Sequence, residues 1–269
     1  MPDIPVLIDA RLTACWYSYP FQSGWIDAPE VEMIRDPHPA TIRDRNAIAL
    51  VDSLAATRLL ETHVIVADHA VASRRASFLT VVTHTRPDEV DRVTVSTRGI
   101  SLVGRGVAEA TLPRFYGITA TDWTDDRLEV NQQTIVITEE AEALIPVDDT
   151  EQYQEDLGRA WFLLTDTPYV SHICVAPRSA LTSDPAAVIA AVERLEQARQ
   201  ASTDRARELR RNVASDLGIE RDLFTETLAD QTYRLDDPER SGLLGLWKHL
   251  GIPKPGNMSE HIVTLSGSS

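Results

Sequence analysis

The chain has 269 residues, of which 43% are hydrophobic, and sets 26 Lys and Arg against 41 Asp and Glu for a formal charge of −15. Such a length and apolar content exclude a disordered chain and suit one large domain or two linked lobes, each with its own core. The acidic balance, with no basic run, excludes a nucleic-acid surface, because neutralising phosphate takes concentrated positive charge.

In chain order, short β-type runs alternate with helical stretches, the pattern of an α/β architecture. A first strand is predicted over 6–16 and a second over 47–51 (AIALV), followed by a helix over 54–60. Further β-rich runs cover 64–67, 78–82 and 93–95; a turn at Gly99 then leads into a helix over 101–112 that Pro113 is expected to end. A strand over 134–138 (TIVIT), a helix over 156–164 and a strand over 169–175 complete the alternating part. Ser183-Asp184-Pro185 is a helix-start signal, and Val188, Val192 and Leu195 follow at helical spacing. Leu209, Val213 and Leu217 continue one helical face up to Gly218, a last helix covers 241–250, and 254–269 reads as a polar tail.

Cys15 and Cys174 lie in apolar runs, far apart and without CxxC spacing, so they read as buried thiols rather than metal ligands or a disulfide framework. The seven histidines show no metal-ligand spacing either; His172, inside a strand, reads as a core or cleft-lining residue. No window approaches 18 apolar residues and the first nine residues lack a secretory pattern, so no membrane insertion and a cytoplasmic location are expected.

The sequence contains no GxSxG, Walker loop, helix-opening GxGxxG or HExxH. What it offers is a set of hydroxyls at strand ends, suited to holding a ligand by several hydrogen bonds. Ser96-Thr97-Arg98-Gly99-Ile100-Ser101 follows a strand and opens a helix, where free backbone N–H groups favour a carboxylate or phosphate; Ser96 or Thr97 as an ordinary cap is the alternative. Ser53, Ser73, Ser77, Thr165 and Thr167 also lie next to strands, and ligands of open α/β sheets sit at carboxyl ends of strands. Asp52 beside Ser53 reads equally as a helix cap, and Asp148-Asp149 as a solvated turn or cap. The aromatic group Trp16-Tyr17-Ser18-Tyr19-Pro20-Phe21 either walls a ring-shaped ligand or packs in the core.

Several ordered blocks carry a family resemblance. Asp156-Leu157-Gly158-x-x-Trp161, followed by Thr165-x-x-Pro168-Tyr169-Val170, is similar to the D-L-G-x-x-W…T-G-x-P-F-V segment of the menaquinone (futalosine-route) biosynthesis family that contains chorismate dehydratase. Ala49-Leu50-Val51-Asp52-Ser53, Ala70-Val71-Ala72-Ser73 and Tyr233-x-Leu235…Gly242-Leu243-x-x-Leu246 resemble further blocks of that family in the same order, so the likeness covers about 8–250. It implies a two-lobed, type II periplasmic-binding-protein fold with an interlobe cleft. Residues 1–89 and 176–269 would form the first lobe, and residues 90–175 the inserted second. By position it implies Ser53, Ser73, Ser77, Ser96, Thr97 and Thr167 as substrate-binding residues, with Tyr17 and Ser101 as the catalytic candidates. The chain departs from the family at Tyr17, where the Y-L-N-T-x-P-L motif has its asparagine, and lacks an evident G-D pair around 142–149.

Two functions follow as expectations. The first is a chorismate dehydratase-like hydro-lyase that eliminates water from a small cyclic carboxylate without any cofactor or metal. The second is a non-catalytic solute-binding or sensor protein of the same fold holding a small organic anion. Fold is expected to survive such departures better than activity does.

Overall fold

The computed structural model describes residues 4–147, 152–253 and 260–265. Asp148 and Asp149 lie outside these residues.

The described residues build two sheets. The first contains β1 (Val6–Asp9), β2 (Val31–Ile34), β3 (Ile48–Asp52), β4 (His63–Ser73), β10 (Tyr169–Pro177) and β11 (Ile262–Val263), in the order β11-β4-β10-β3-β1-β2. The second contains β5 (Leu79–Thr83), β6 (Arg92–Ser96), β7 (Thr119–Thr124), β8 (Thr134–Glu139) and β9 (Tyr153–Asp156), in the order β7-β6-β8-β5-β9. Every residue of β4 and β10 is buried, as befits central strands covered on both faces, and the two pair antiparallel over most of their length.

Strand alternation divides the first lobe's core in two. Leu7, Ala49, Val51 and Ile65 face α9 (Asp237–His249) through Leu243 and Trp247, with Ile42 of the short α2 (Pro39–Asp44), whereas Ile8, Ile48, Leu50 and Val66 face Val188, Val192 and Leu195 of α6 (Pro185–Asp204), with Ala180 of α5 (Arg178–Ser183). The second lobe has one core, in which Leu79, Val81, Val95, Ile135 and Ile137 pack against α3 (Leu102–Thr111) and α4 (Leu157–Thr165). The C-terminal third braces both lobes. Leu246 of α9 joins the second-lobe core, and α7 (Ala206–Leu217) and α8 (Arg221–Ala229) place Leu209, Val213 and Phe224 against Cys15 and Trp16 on one side and Phe78 and Leu144 on the other.

The chain passes between the sheets over 74–78 and returns over 157–168. Leu79–Thr83, expected in the first lobe, is therefore in the second sheet, and residues 169–175, expected in the insertion, belong to β10 of the first. Both shifts have one cause: a strand's sheet is fixed by its pairing partners, which periodicity does not reveal. The two passages are tied together, because the Ser77 amide and hydroxyl donate to the Asp156 carboxylate at 2.6 and 3.0 Å while the same carboxylate caps α4 through the Arg159 amide.

Three local expectations are corrected or extended. The first strand stops at Asp9, where the Asp9 carboxylate accepts the Arg11 amide; the chain then forms a 3-10 turn (Leu12–Ala14) and α1 (Cys15–Gln22), which carries the aromatic group. The α3 helix ends ahead of Pro113 as expected, at Thr111, but the chain winds on through a wider π-type turn (Leu112–Tyr116) that ends at Gly117 with φ +78°. In the expected polar tail, Ile262 and Val263 add an edge strand to β4.

Candidate functional site

The carboxyl ends of β1 and β3 in the first lobe face the start of α3 and the end of β8 in the second. Four chain segments meet there: 9–12 after β1, 36–39 after β2, 52–55 after β3, and 99–103 at the start of α3. The end of β8 adds Glu139 and Glu140.

Arg11 is the centre of this cleft. It is 2% exposed, and its guanidinium engages every donor it has. Nε and Nη2 form a fork on the Asp36 carboxylate at 2.5 and 2.9 Å, Nη1 donates to Glu139 at 2.9 Å, and both Nη atoms reach the Gly99 carbonyl at 3.3 Å. Glu139 is held in turn by the amide and hydroxyl of Ser101 at 2.6 and 2.7 Å, and the Ser101 hydroxyl accepts the Gly104 amide as the helix cap. Asp52 accepts the Val103 amide with one oxygen and the amides of Leu54 and Ala55 with the other. The start of α3, where free N–H groups favour negative charge, is thus covered by two carboxylates of the chain itself, one from each lobe.

Glu140 also crosses the cleft, accepting the Leu12 amide at 2.6 Å and pairing with Arg35 at 2.6 Å. Beneath it, Asp9 and His172 approach to 3.4 Å, both fully enclosed. Burial works against charge on Glu139, Asp52, Asp9 and His172, yet the outcomes differ. Burial raises the Glu139 carboxyl to about 7, because Arg11 and Ser101 offset it only in part. Burial likewise raises Asp52. It would raise Asp9 and lower His172, but each partner's charge outweighs it, so the Asp9 carboxyl lies below its ordinary value and the His172 imidazole above.

Arg11 lies on the wall of two cavities. One, about 310 Å³, is lined by Asp36, Asp52, Arg58, Ile100 and Ser101. The other, about 260 Å³, is lined by Cys15, Ser18, Tyr19, Arg35 and Glu140. Among the described residues, no cluster of three or more His, Cys, Asp or Glu side chains is arranged to hold a metal ion.

Of the eight residues singled out from the sequence, the structure brings Ser101 alone to this cleft wall. Tyr17 is fully buried in the first-lobe core; its hydroxyl donates to the Tyr233 carbonyl at 3.1 Å and its ring meets His69 and Tyr233 edge-on. Ser53 donates to the Val170 carbonyl at 2.8 Å, and Ser73 pairs with Tyr169 where β4 meets β10. Ser77 ties the two interlobe passages, as described. Thr97 donates to Thr124 and Asp125, and Thr167 bonds Thr165 at 2.8 Å. Ser96 donates to the Asp126 carbonyl at 2.7 Å and lines a cavity of about 490 Å³ in the second lobe, together with Arg98, Arg127 and Thr138. Arg11, Asp36, Glu139 and Glu140 were not anticipated. Their signals were Asp9-x-Arg11 at a strand end and Glu139-Glu140 closing TIVITEE, charged residues directly after apolar runs.

No family model matches the sequence, and no curated protein is significantly similar to it. Solved structures do resemble it. The Candida albicans CA3427 gene product, described as defining a new family with the generic periplasmic-binding-protein fold, superposes with a TM-score of 0.68 at 14% identity, covering 100% of this chain and 99% of that one. The alkanesulfonate-binding protein SsuA of Xanthomonas axonopodis pv. citri, bound to MOPS, gives 0.61 at 10% identity over 98% and 99% of the two chains. The periplasmic nitrate-binding protein NrtA of Synechocystis PCC 6803 gives 0.56 at 11% identity over 96% and 85%. The fold is therefore that of the periplasmic binding proteins, two-lobed and consistent with type II.

Proposed function

We propose that the chain binds a small organic anion in the cleft between its lobes, with Arg11 receiving the anionic end. The observation that carries this is a buried, permanently charged guanidinium at the meeting point of both lobes, its fork already matched to a carboxylate. Neighbours of this fold include proteins named for binding an alkanesulfonate or nitrate, which suits the same ligand charge. Isothermal titration of a panel of small carboxylates and sulfonates tests the reading. Saturable binding that Arg11→Gln abolishes, with the variant's fold intact by circular dichroism, is the expected result; binding indifferent to Arg11 would sink it.

A lyase is the second reading, favoured by one contact. The Glu139 carboxyl, raised to about 7, lies 2.7 Å from the Ser101 hydroxyl, the arrangement of a group that can exchange a proton near neutral pH. On this reading the cleft eliminates water from a cyclic carboxylate such as chorismate, and Glu139 replaces Tyr17 as the acid–base candidate. Incubation with chorismate, followed by absorbance and mass, decides it: loss of water that stops in Glu139→Gln supports the lyase, and unchanged chorismate leaves the binding protein.

A further inference from the structure

Two carboxylates share the Arg11 guanidinium, and they are held very differently. Glu139 is enclosed, its side chain 5% exposed, and fixed by three donors from Arg11 and Ser101. The Asp36 side chain is 49% exposed, and besides the Arg11 fork it has, among the described residues, one loose approach, to Arg35 at 3.8 Å. Its backbone is in the left-handed region at φ +50°, held there by a hydrogen bond that its amide donates to the Asp9 carboxylate at 3.1 Å. That same Asp9 carboxylate accepts the Arg11 amide, so one group sets both partners of the fork. Asp36 also opens onto the cavity of about 310 Å³ that Arg11 and Ser101 line.

We infer that Asp36 is an internal counter-ion occupying the place of the ligand's anionic group, so that binding is an exchange in which a carboxylate or sulfonate takes the Arg11 fork and the Asp36 side chain turns to solvent. The inference rests on the cleft reading above and adds the residue that sets affinity. All five Arg11 donors are engaged, so an incoming anion must replace an acceptor rather than add to them. Asp36 is the replaceable one: it alone offers fork geometry, and it regains water on leaving. Glu139 and the Gly99 carbonyl are fixed by Ser101 and by the backbone. Asp36 thereby penalises weak or uncharged ligands, because nothing that fails to match a carboxylate on the fork recovers the lost ion pair.

The test is isothermal titration calorimetry with succinate, benzoate and methanesulfonate on wild type, Asp36→Asn and Asp36→Gly. Both replacements tolerate a positive φ, so the loop conformation is kept. At least one probe is expected to bind both variants about tenfold more tightly than wild type, the gain disappearing when Arg11→Gln is added. Affinity unchanged or weakened in both variants overturns the inference. If wild type binds a probe through Arg11 while the Asp36 variants merely match it, the internal counter-ion falls and the cleft reading stands; if no probe binds any of the proteins, both fall.

Discussion

Arg11 and Glu139 form a nearly dry pair whose two members respond differently to substitution. Truncating Arg11 leaves Glu139 enclosed without its cation, and the cost of such an orphaned charge is typically about 3–5 kcal/mol, so Arg11→Gln is expected to lower the denaturation midpoint clearly. Glu139→Gln behaves otherwise. Because the folded chain holds the Glu139 proton up to about 7 and the unfolded chain releases it near 4.5, this carboxyl contributes stability that is present below 4.5 and lost as pH rises towards 7. The raised His172 acts in the same sense, its contribution present below 6.5 and lost as pH rises through its elevated folded value. The stability advantage of wild type over Glu139→Gln should therefore shrink between pH 5 and pH 8 in urea titrations; an advantage that grows with pH contradicts this assignment. Tyr17, by contrast, is a packing residue: Tyr17→Phe loses a hydrogen bond and about 1 kcal/mol, whereas Tyr17→Asn empties a core site and costs roughly 3–5 kcal/mol, with no gain of chorismate turnover.

At the scale of the element, helices were more legible than strand ends. Asp184 before Pro185 and Gly218 after Leu217 both stand where the sequence signals put them, because caps are local chemistry. The first strand was overextended to residue 16 because Leu12 to Trp16 is as apolar as the strand before it; what ends β1 is the Asp9 carboxylate turning back on the Arg11 amide, a contact that hydropathy does not register. The hydroxyls at strand ends were correctly placed next to strands, but most satisfy nearby backbone carbonyls, so their chemistry is spent inside the fold. Gly242 shows what a close approach requires: a Cβ there would sit 2.1 Å from the Pro168 carbonyl oxygen, backbone that cannot swing aside. Gly242→Ala is expected to push α9 off the returning passage and destabilise by about 1–3 kcal/mol, seen as a lower melting temperature.

For the whole molecule, two lobes were legible from alternation and ordered motif blocks, while the cleft's actual residues were not, since contacts such as Arg11 with Glu139 and Leu12 with Glu140 join positions 128 residues apart that meet through pairing alone. The contacts that close the cleft nearly all involve a carboxylate: Glu139 on Arg11, Glu140 on Leu12 and Arg35, Asp52 on Val103. Neutralising two of them at once, in Glu139→Gln/Glu140→Gln, should shift the lobes towards an open arrangement, read as a larger radius of gyration in small-angle scattering. An unchanged radius would mean that the apolar bracing by α7, α8 and α9 dominates closure.

The position of β10 between β3 and β4 has a consequence for the order in which the chain acquires structure. A ribosome that has released residues up to 168 has supplied the whole second sheet with its helices, yet the first sheet still lacks its middle strand. The later-encoded insertion is then the earlier one to have all its strands paired, and the N-terminal strands wait with open edges until Tyr169–Pro177 arrives. Hydrogen exchange on chains stalled on the ribosome with residues up to 168 released should accordingly protect the amides of β5, β6 and β8 and leave those of β3 and β4 open.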